Sequence, residues 1–266
     1  MQEHALAGKV ALITGATRGL GRAMADAFAR AGADIAVVSR KAQACESTAR
    51  ELTELGVRAR AFPCHVGRWD EISPMAQAAW DHFGRIDVLV NNAGMSPLYP
   101  SLDAVTEQNF DKVVGVNFKG PFRLTALVGG WMHAGAGGSV INVSSVASLQ
   151  ASPYALPYAG AKAALNALTD GFAAAYSPNV RVNTLCVGPF ATDVAEHWPD
   201  PPDHGRPGWT KGGWRVGLPS ELIAAAVYLA SDASSFTNAA LLRIDGGPVR
   251  ARRPEGVAEH PAGGSV

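Results

Sequence analysis

The sequence predicts an α/β fold: one doubly wound parallel sheet of about seven strands, with helices on both faces. Three observations predict it. Short β-branched runs alternate with longer amphipathic stretches from residue 9 to residue 245, as repeated βαβ units require. The first strand-like run passes through a glycine-rich turn, TGATRGLG at 14–21, directly into a helical run. The chain has 266 residues, 47% of them hydrophobic, enough to bury one large core, and no second domain or short-period repeat is visible.

Each element has its own signal. KVALIT (9–14) reads as a buried strand and RAMADAFARAG (22–32) as a helix stopped by Gly32. DIAVVS (34–39) is a second strand, followed by a helix through ACESTARELTELG (44–56). VRARAF (57–62) is a third strand, and 69–83 is helical. RIDVLVNNAG (85–94) is a fourth strand running into a turn. A long helix covers 107–133, SVINVSS (139–145) is a fifth strand, and 155–176 is helical. VRVNTLCV (180–187) is a sixth strand, LIAAAVYLA (222–230) sits in a helix, and ALLRID (240–245) is the last strand. Unbroken apolar strands are those of a parallel sheet covered on both sides. Right-handed crossovers make it a Rossmann-type sheet.

Two segments break the rhythm. Residues 193–215 carry Pro, Gly, His and three tryptophans, and so long an irregular stretch in a compact domain predicts a substrate lid. Trp198 is assigned to it as a substrate contact. The domain is expected to span 1–248, with a tail at 249–266 that lacks periodicity.

Composition excludes several classes. The formal charge is +0, so no global field recruits nucleic acid or an anionic membrane. Cys45, Cys64 and Cys186 are odd in number and form no CxxC, which suits buried thiols in a reducing compartment. No HExxH or zinc-like spacing occurs, so no metal is expected. No apolar run is long enough to cross a bilayer and no signal peptide precedes the first strand. A cytoplasmic protein is the expectation.

The turn after the first strand carries chemistry. Gly15, Gly19 and Gly21 let the backbone N–H groups approach a pyrophosphate, and the helix N-terminus adds a favourable partial charge. Further on, Tyr158 and Lys162 lie four residues apart in a helical run and share a face. A phenol with a pKa of about 10 needs its anion stabilised to exchange protons near neutrality, and Lys162 supplies the charge. Tyr154 precedes Pro157 and is expected outside the regular helix, either as a packing residue or as a wall of the substrate pocket. Ser144 and Ser145 close the fifth strand, and only one of them can face the crevice. Pro121 stands four residues after Asn117. A proline there removes the bond to the Asn117 carbonyl, so a kink freeing that carbonyl for a water is expected.

These motifs together resemble the short-chain dehydrogenase/reductase family. TGxxxGxG, Asn91-Asn92-Ala93-Gly94, Tyr158-xxx-Lys162, Ser145 thirteen residues before Tyr158, Asn117 in GVNFKG, RVNTLCVGPFAT and Asp245-Gly246-Gly247 occur in the family's order over roughly 8–248. The resemblance implies a catalytic set of Asn117, Ser145, Tyr158 and Lys162. It selects Ser145 over Ser144, leaving Ser144 and Ser148 as capping or cofactor-shell residues. It implies a nicotinamide dinucleotide held by Gly15, Thr17, Arg18, Gly19, Leu20 and Gly21. Ser39, Arg40, His65, Val66, Asn91, Ala93, Gly94, Gly188 and Thr192 complete that site with Tyr158 and Lys162. Substrate contacts are Ser145, Tyr154, Phe190 and Trp198. A homotetramer or homodimer is implied, paired through helix 219–231, the last strand and the long central helices.

At the end of the second strand, Ser39 replaces the acidic residue that would bind a ribose hydroxyl, and Arg40 and Lys41 follow. A guanidinium suits a 2′-phosphate, so NADP(H) is favoured and NAD(H) remains possible. Three positions depart from the family pattern. His65 replaces the usual Asp near the adenine amino group, where a neutral imidazole could accept one bond, depending on tautomer. Val187 replaces a proline, which should loosen a turn, and Asn238 replaces a glycine. The expected activity is hydride transfer between nicotinamide and a ketone, 3-oxoacyl group or secondary alcohol. The alternatives are an NAD-dependent alcohol or sugar dehydrogenase, or a dinucleotide-sensing regulator without turnover.

Overall fold

A computed structural model describes residues 4–192 and 216–247. Seven strands, β1 (Val10–Thr14), β2 (Asp34–Ser39), β3 (Ala59–Pro63), β4 (Val88–Asn91), β5 (Gly138–Ser145), β6 (Val180–Val187) and β7 (Leu241–Ile244), form one sheet. Their order is β3-β2-β1-β4-β5-β6-β7, and every pair is parallel. The chain winds outward from β1 to β3 and returns to β4 beside β1. The direction therefore switches between β1 and β4, and a crevice opens there beyond the carboxyl ends of the strands.

The core follows from strand alternation. Ala11 and Ile13 of β1 and Ile35 and Val37 of β2 face one side. They meet Met24 and Phe28 of α1 (Gly19–Arg30), Leu52 of α2 (Ala42–Thr53) and Leu222 and Ala226 on the later helix Ser220–Ala230. Val10, Leu12, Ala36 and Val38 face the other side, against Ile72, Met75 and Ala79 of α3 (Trp69–Phe83) and Leu124, Val128 and Met132. Successive residues point to opposite faces, and both faces are apolar because both are covered. Phe28 is fully buried, and truncation to Ala at such a position costs about 3–5 kcal/mol.

The central helix, expected as one element, is composite. It comprises α4 (Glu107–Val114), a π segment Gly115–Lys119, α5 (Gly120–Leu124), a second π segment Thr125–Gly129 and α6 (Gly130–Ala134). Pro121 has no N–H to give the Asn117 carbonyl, and the ladder widens so that Gly120 N donates to Gly115 O. Close packing adds to the distortion, since a Cβ on Gly120 would stand 2.3 Å from Val66 O. α7 runs Leu156–Tyr176, with Pro157 in its first turn, and α8 is Ser220–Ala230.

Several boundaries differ from the sequence reading. α1 starts at Gly19, so Gly19 to Gly21 form its first turn. β3 starts at Ala59 because Arg58 is engaged with Asp34, its N donating to Oδ1 at 2.8 Å and its Nε to Oδ2 at 2.8 Å. Val187 does not loosen a turn. It continues β6, paired with both Ser145 and Ile244. Before β7, Ala239 takes the left-handed conformation (φ 56), and Asn238, where a glycine is usual, uses its Oδ1 to accept from Val182 N at 2.8 Å. Residues 193–215, with Trp198, and the tail at 249–266 lie outside the described residues. Among the described residues no helix is long and apolar enough to cross a membrane.

A buried polar chain crosses the sheet. Asn91 Nδ2 donates to Asn142 Oδ1 at 2.8 Å and to Thr125 Oγ1 at 3.0 Å. Asn142 Nδ2 donates to Thr169 Oγ1 at 2.9 Å, and Thr169 shares a 2.8 Å bond with Thr184.

Candidate active site

The crevice is built first by the turn after β1. Gly15 and Gly19 hold φ of 67° and 55°, conformations that side chains with a Cβ resist. Gly21 is excluded from larger residues by contact, because a Cβ there would lie 2.2 Å from Gly15 O and 2.4 Å from Asn92 Nδ2. Asn92 stitches the turn to β4: its Nδ2 donates to Thr14 O at 2.9 Å, and its N donates to Thr14 Oγ1 at 3.0 Å. Ala93 N donates to the same hydroxyl at 3.0 Å. Thr17 Oγ1 donates to Ser39 Oγ at 3.1 Å, joining the turn to the end of β2. The Thr192 methyl borders Gly19. No acidic residue occupies the first turn of α1, so its N–H groups and dipole are open to an anion. This cradle fits a dinucleotide pyrophosphate. Arg18, Arg40 and Lys41 are exposed around it, and Leu20 packs its side chain on the core.

The second group gathers on α7, β5 and the central helix. Lys162 is 3% exposed, and its Nζ donates to Val143 O at 2.7 Å. The same Nζ stands 5.7 Å from the centre of the Tyr158 ring. Ser145 stands close enough to the Tyr158 hydroxyl to affect its ionisation, and the Ser145 Oγ accepts from Ala147 N at 3.2 Å. Ser144 turns the other way, donating to Lys162 O at 3.3 Å. Asn117 is fully buried: its Nδ2 donates to Met95 O at 2.8 Å and Val113 O at 2.9 Å, and its Oδ1 accepts from Met95 N. Gly94 lies between these groups, since a Cβ there would be 3.0 Å from Asn117 Oδ1 and 3.7 Å from Lys162 Nζ. Asn117, Ser145, Tyr158 and Lys162 therefore converge beside the glycine turn.

Burial dominates the electrostatics. It pushes the Tyr158 phenol up, and the nearby Ser145 pulls it partly back. This opposes the lowering expected from Lys162 by sequence. The ammonium itself is desolvated, which brings its pKa down to about 8, and it is bonded to Val143 rather than to the phenol oxygen.

Other expected site residues are placed differently. The Asn91 side chain belongs to the buried polar chain, so only its backbone reaches toward the crevice. The Val66 side chain is buried in the core. Gly188 accommodates β7, since a Cβ there would meet Asp245 Cβ at 2.7 Å. Phe190 is 4% exposed, and its ring packs on Gly217, with which its backbone pairs. Tyr154 is 73% exposed and precedes α7, outside the regular helix as Pro157 predicts. The sequence reading missed Asn92, though it stands inside the NNAG run. It also missed Tyr99, whose hydroxyl donates to Pro153 O at 2.6 Å and accepts from Leu156 N at 2.9 Å at the start of α7. No periodic pattern marks that tyrosine.

Comparison with known proteins agrees with this fold. A family model described as short chain dehydrogenase matches residues 9–203. D-threitol dehydrogenase of Mycolicibacterium smegmatis is 36% identical over 244 residues, covering 91% of this chain and 93% of that protein. A gluconate 5-dehydrogenase from Burkholderia cenocepacia, solved with NADP and tartrate, superposes with a TM-score of 0.84 at 34% identity, covering 92% of this chain and 97% of that one. A 7α-hydroxysteroid dehydrogenase solved with NADH and 7-oxo glycochenodeoxycholic acid gives a TM-score of 0.86 at 31% identity, covering 94% and 98%.

Proposed function

The chain belongs to the short-chain dehydrogenase family, and from that premise we propose an NADP(H)-dependent reductase of ketones or 3-oxoacyl groups, with Tyr158 as its proton donor. Family membership makes it an NAD(P)-dependent oxidoreductase acting on CH–OH or C=O groups. The finer reading is carried by one observation: Tyr158 lies beneath a buried Lys162 ammonium, with Ser145 close enough to bias its phenol.

Gly15, Gly19 and Gly21 would cradle the pyrophosphate, and Arg40 would meet a 2′-phosphate beyond Ser39. The bound dinucleotide supplies the hydride in reduction and takes it up in oxidation. A substrate carbonyl oxygen would accept hydrogen bonds from Ser145 Oγ and Tyr158 Oη. As negative charge grows on that oxygen, Ser145 stabilises it and Tyr158 transfers its proton to it. The phenolate left behind would be held by the Lys162 charge, and a proton would return to it through the amine and a water held on the Asn117 carbonyl. A phenol pushed up by burial stays protonated at neutral pH, which supports the reductive direction. The buried, unpaired cysteines agree with a cytoplasmic setting. A homotetramer or homodimer is part of the same reading.

The test is consumption of NADPH and of NADH against a panel of ketones, oxoacyl thioesters and sugars. Tyr158→Phe should lower kcat by about 10²–10⁴-fold while leaving dinucleotide binding within a few-fold. NADPH should outperform NADH. Turnover unaffected in the variant would overturn the role of Tyr158. Tight binding without turnover on any carbonyl would favour a sensor, and an NADH preference would favour the NAD-dependent alternative.

A further inference from the structure

We propose that His65 is a fixed hydrogen-bond donor at the purine edge of the dinucleotide, so that this chain tolerates a 6-oxo purine better than an acidic residue there would allow. The inference rests on the reading that the crevice binds a nicotinamide dinucleotide, and it adds how the base is recognised.

His65 stands two residues beyond β3, whose last residue Pro63 pairs with Ser39. Cys64 N donates to Ser39 O at 2.9 Å, so His65 opens at the same end of the sheet as Ser39, Thr17 and the glycine turn. Its backbone is fixed: His65 N donates to Glu71 Oε2 at 2.7 Å, and Arg68 N donates to His65 O at 2.8 Å. Its ring is fixed too, because Gly67 N donates to His65 Nδ1 at 3.1 Å.

That last bond sets the tautomer. A ring nitrogen that accepts carries no proton, so the single proton of the neutral imidazole is on Nε2. Nε2 makes no hydrogen bond within the described residues. The site thus presents an N–H, not the acceptor that sequence alone left possible. A carboxylate would accept from the 6-amino group of adenine. An N–H opposes that amino group and pairs with a ring nitrogen or with the 6-carbonyl of hypoxanthine. Were His65 only a turn residue, replacing it would change affinity for both bases alike.

Calorimetric titration of the full chain at pH 8 with NADP and with its hypoxanthine analogue separates the cases. Wild type should bind the two within a few-fold. His65→Asp should raise the ratio of hypoxanthine to adenine Kd by about tenfold, the order of one hydrogen bond exchanged for a repulsive contact. His65→Gln can donate or accept, so it should raise the ratio by a smaller factor, and it carries the test if the Asp variant does not fold. Equal ratios in wild type and the folded variants would overturn the proposal. Failure of wild type to bind either dinucleotide would instead overturn the reading beneath it.

Discussion

Lys162 keeps its charge where water is scarce, and that has a thermodynamic sign. Burial lowers its pKa from 10.5 to about 8. Between those values the unfolded chain holds the proton and the folded chain has released it, so this group makes stability rise with pH across that window. Below pH 8 the buried charge costs the fold about 3 kcal/mol. Lys162→Met removes that cost along with the bond to Val143 O, itself worth about 1 kcal/mol. The variant should therefore be inactive yet melt above wild type at pH 7, and its advantage should fade as pH approaches 10.5. Scanning calorimetry at both pH values reads this, and a variant less stable at pH 7 would contradict it. The pairing of Tyr158 with Lys162 was legible because helical spacing fixes which residues share a face. The direction of the Tyr158 shift was not, because it depends on how deeply the phenol is enclosed. The side-chain directions of Phe190 and Asn91 were not legible for a similar reason: packing against Gly217 and the bond to Asn142 decide them.

At the scale of elements, α7 is held at its start from outside. Tyr99 bridges Pro153 O and Leu156 N, two residues before Tyr158. Tyr99→Phe loses both bonds and leaves a first-turn amide without its partner. Amide exchange should speed at Leu156 while the C-terminal half of α7 keeps its protection, and kcat should fall several-fold more than KM rises. Unchanged exchange at Leu156 would refute the clamp. Strands and helices were largely legible, since β-branched runs and helical periodicity report burial directly. The π segments were half legible. Pro121 marks the break at Asn117, but the close approach of Gly120 to Val66 O is a contact between distant segments that no local pattern encodes.

For the whole molecule, the topology follows from strand alternation and right-handed crossovers, and its switch point locates the crevice. What alternation cannot say is which outer surface is covered. An apolar groove of about 410 Å³ lies between α4 and α7, lined by residues such as Leu102, Phe110, Phe118 and Leu156. Phe110 is 48% exposed and Leu102 54%. The proposed oligomer pairs through these helices, and this groove would be part of its contact. Phe110→Glu should yield a smaller species by light scattering coupled to size exclusion. An unchanged mass would place the contact elsewhere. The polar chain from Asn91 through Asn142 and Thr169 to Thr184 has a consequence for how the chain folds. Asn91 pairs with Asn142, and Asn142 with Thr184, so a one-residue slip of β4 or β6 against β5 would turn these amides and hydroxyls away from one another and into hydrocarbon. Each stranded group would cost about 1–3 kcal/mol. Between otherwise interchangeable greasy strands, three side chains thus act as a proofreading key that lets a nascent sheet tell its correct alignment from its near misses.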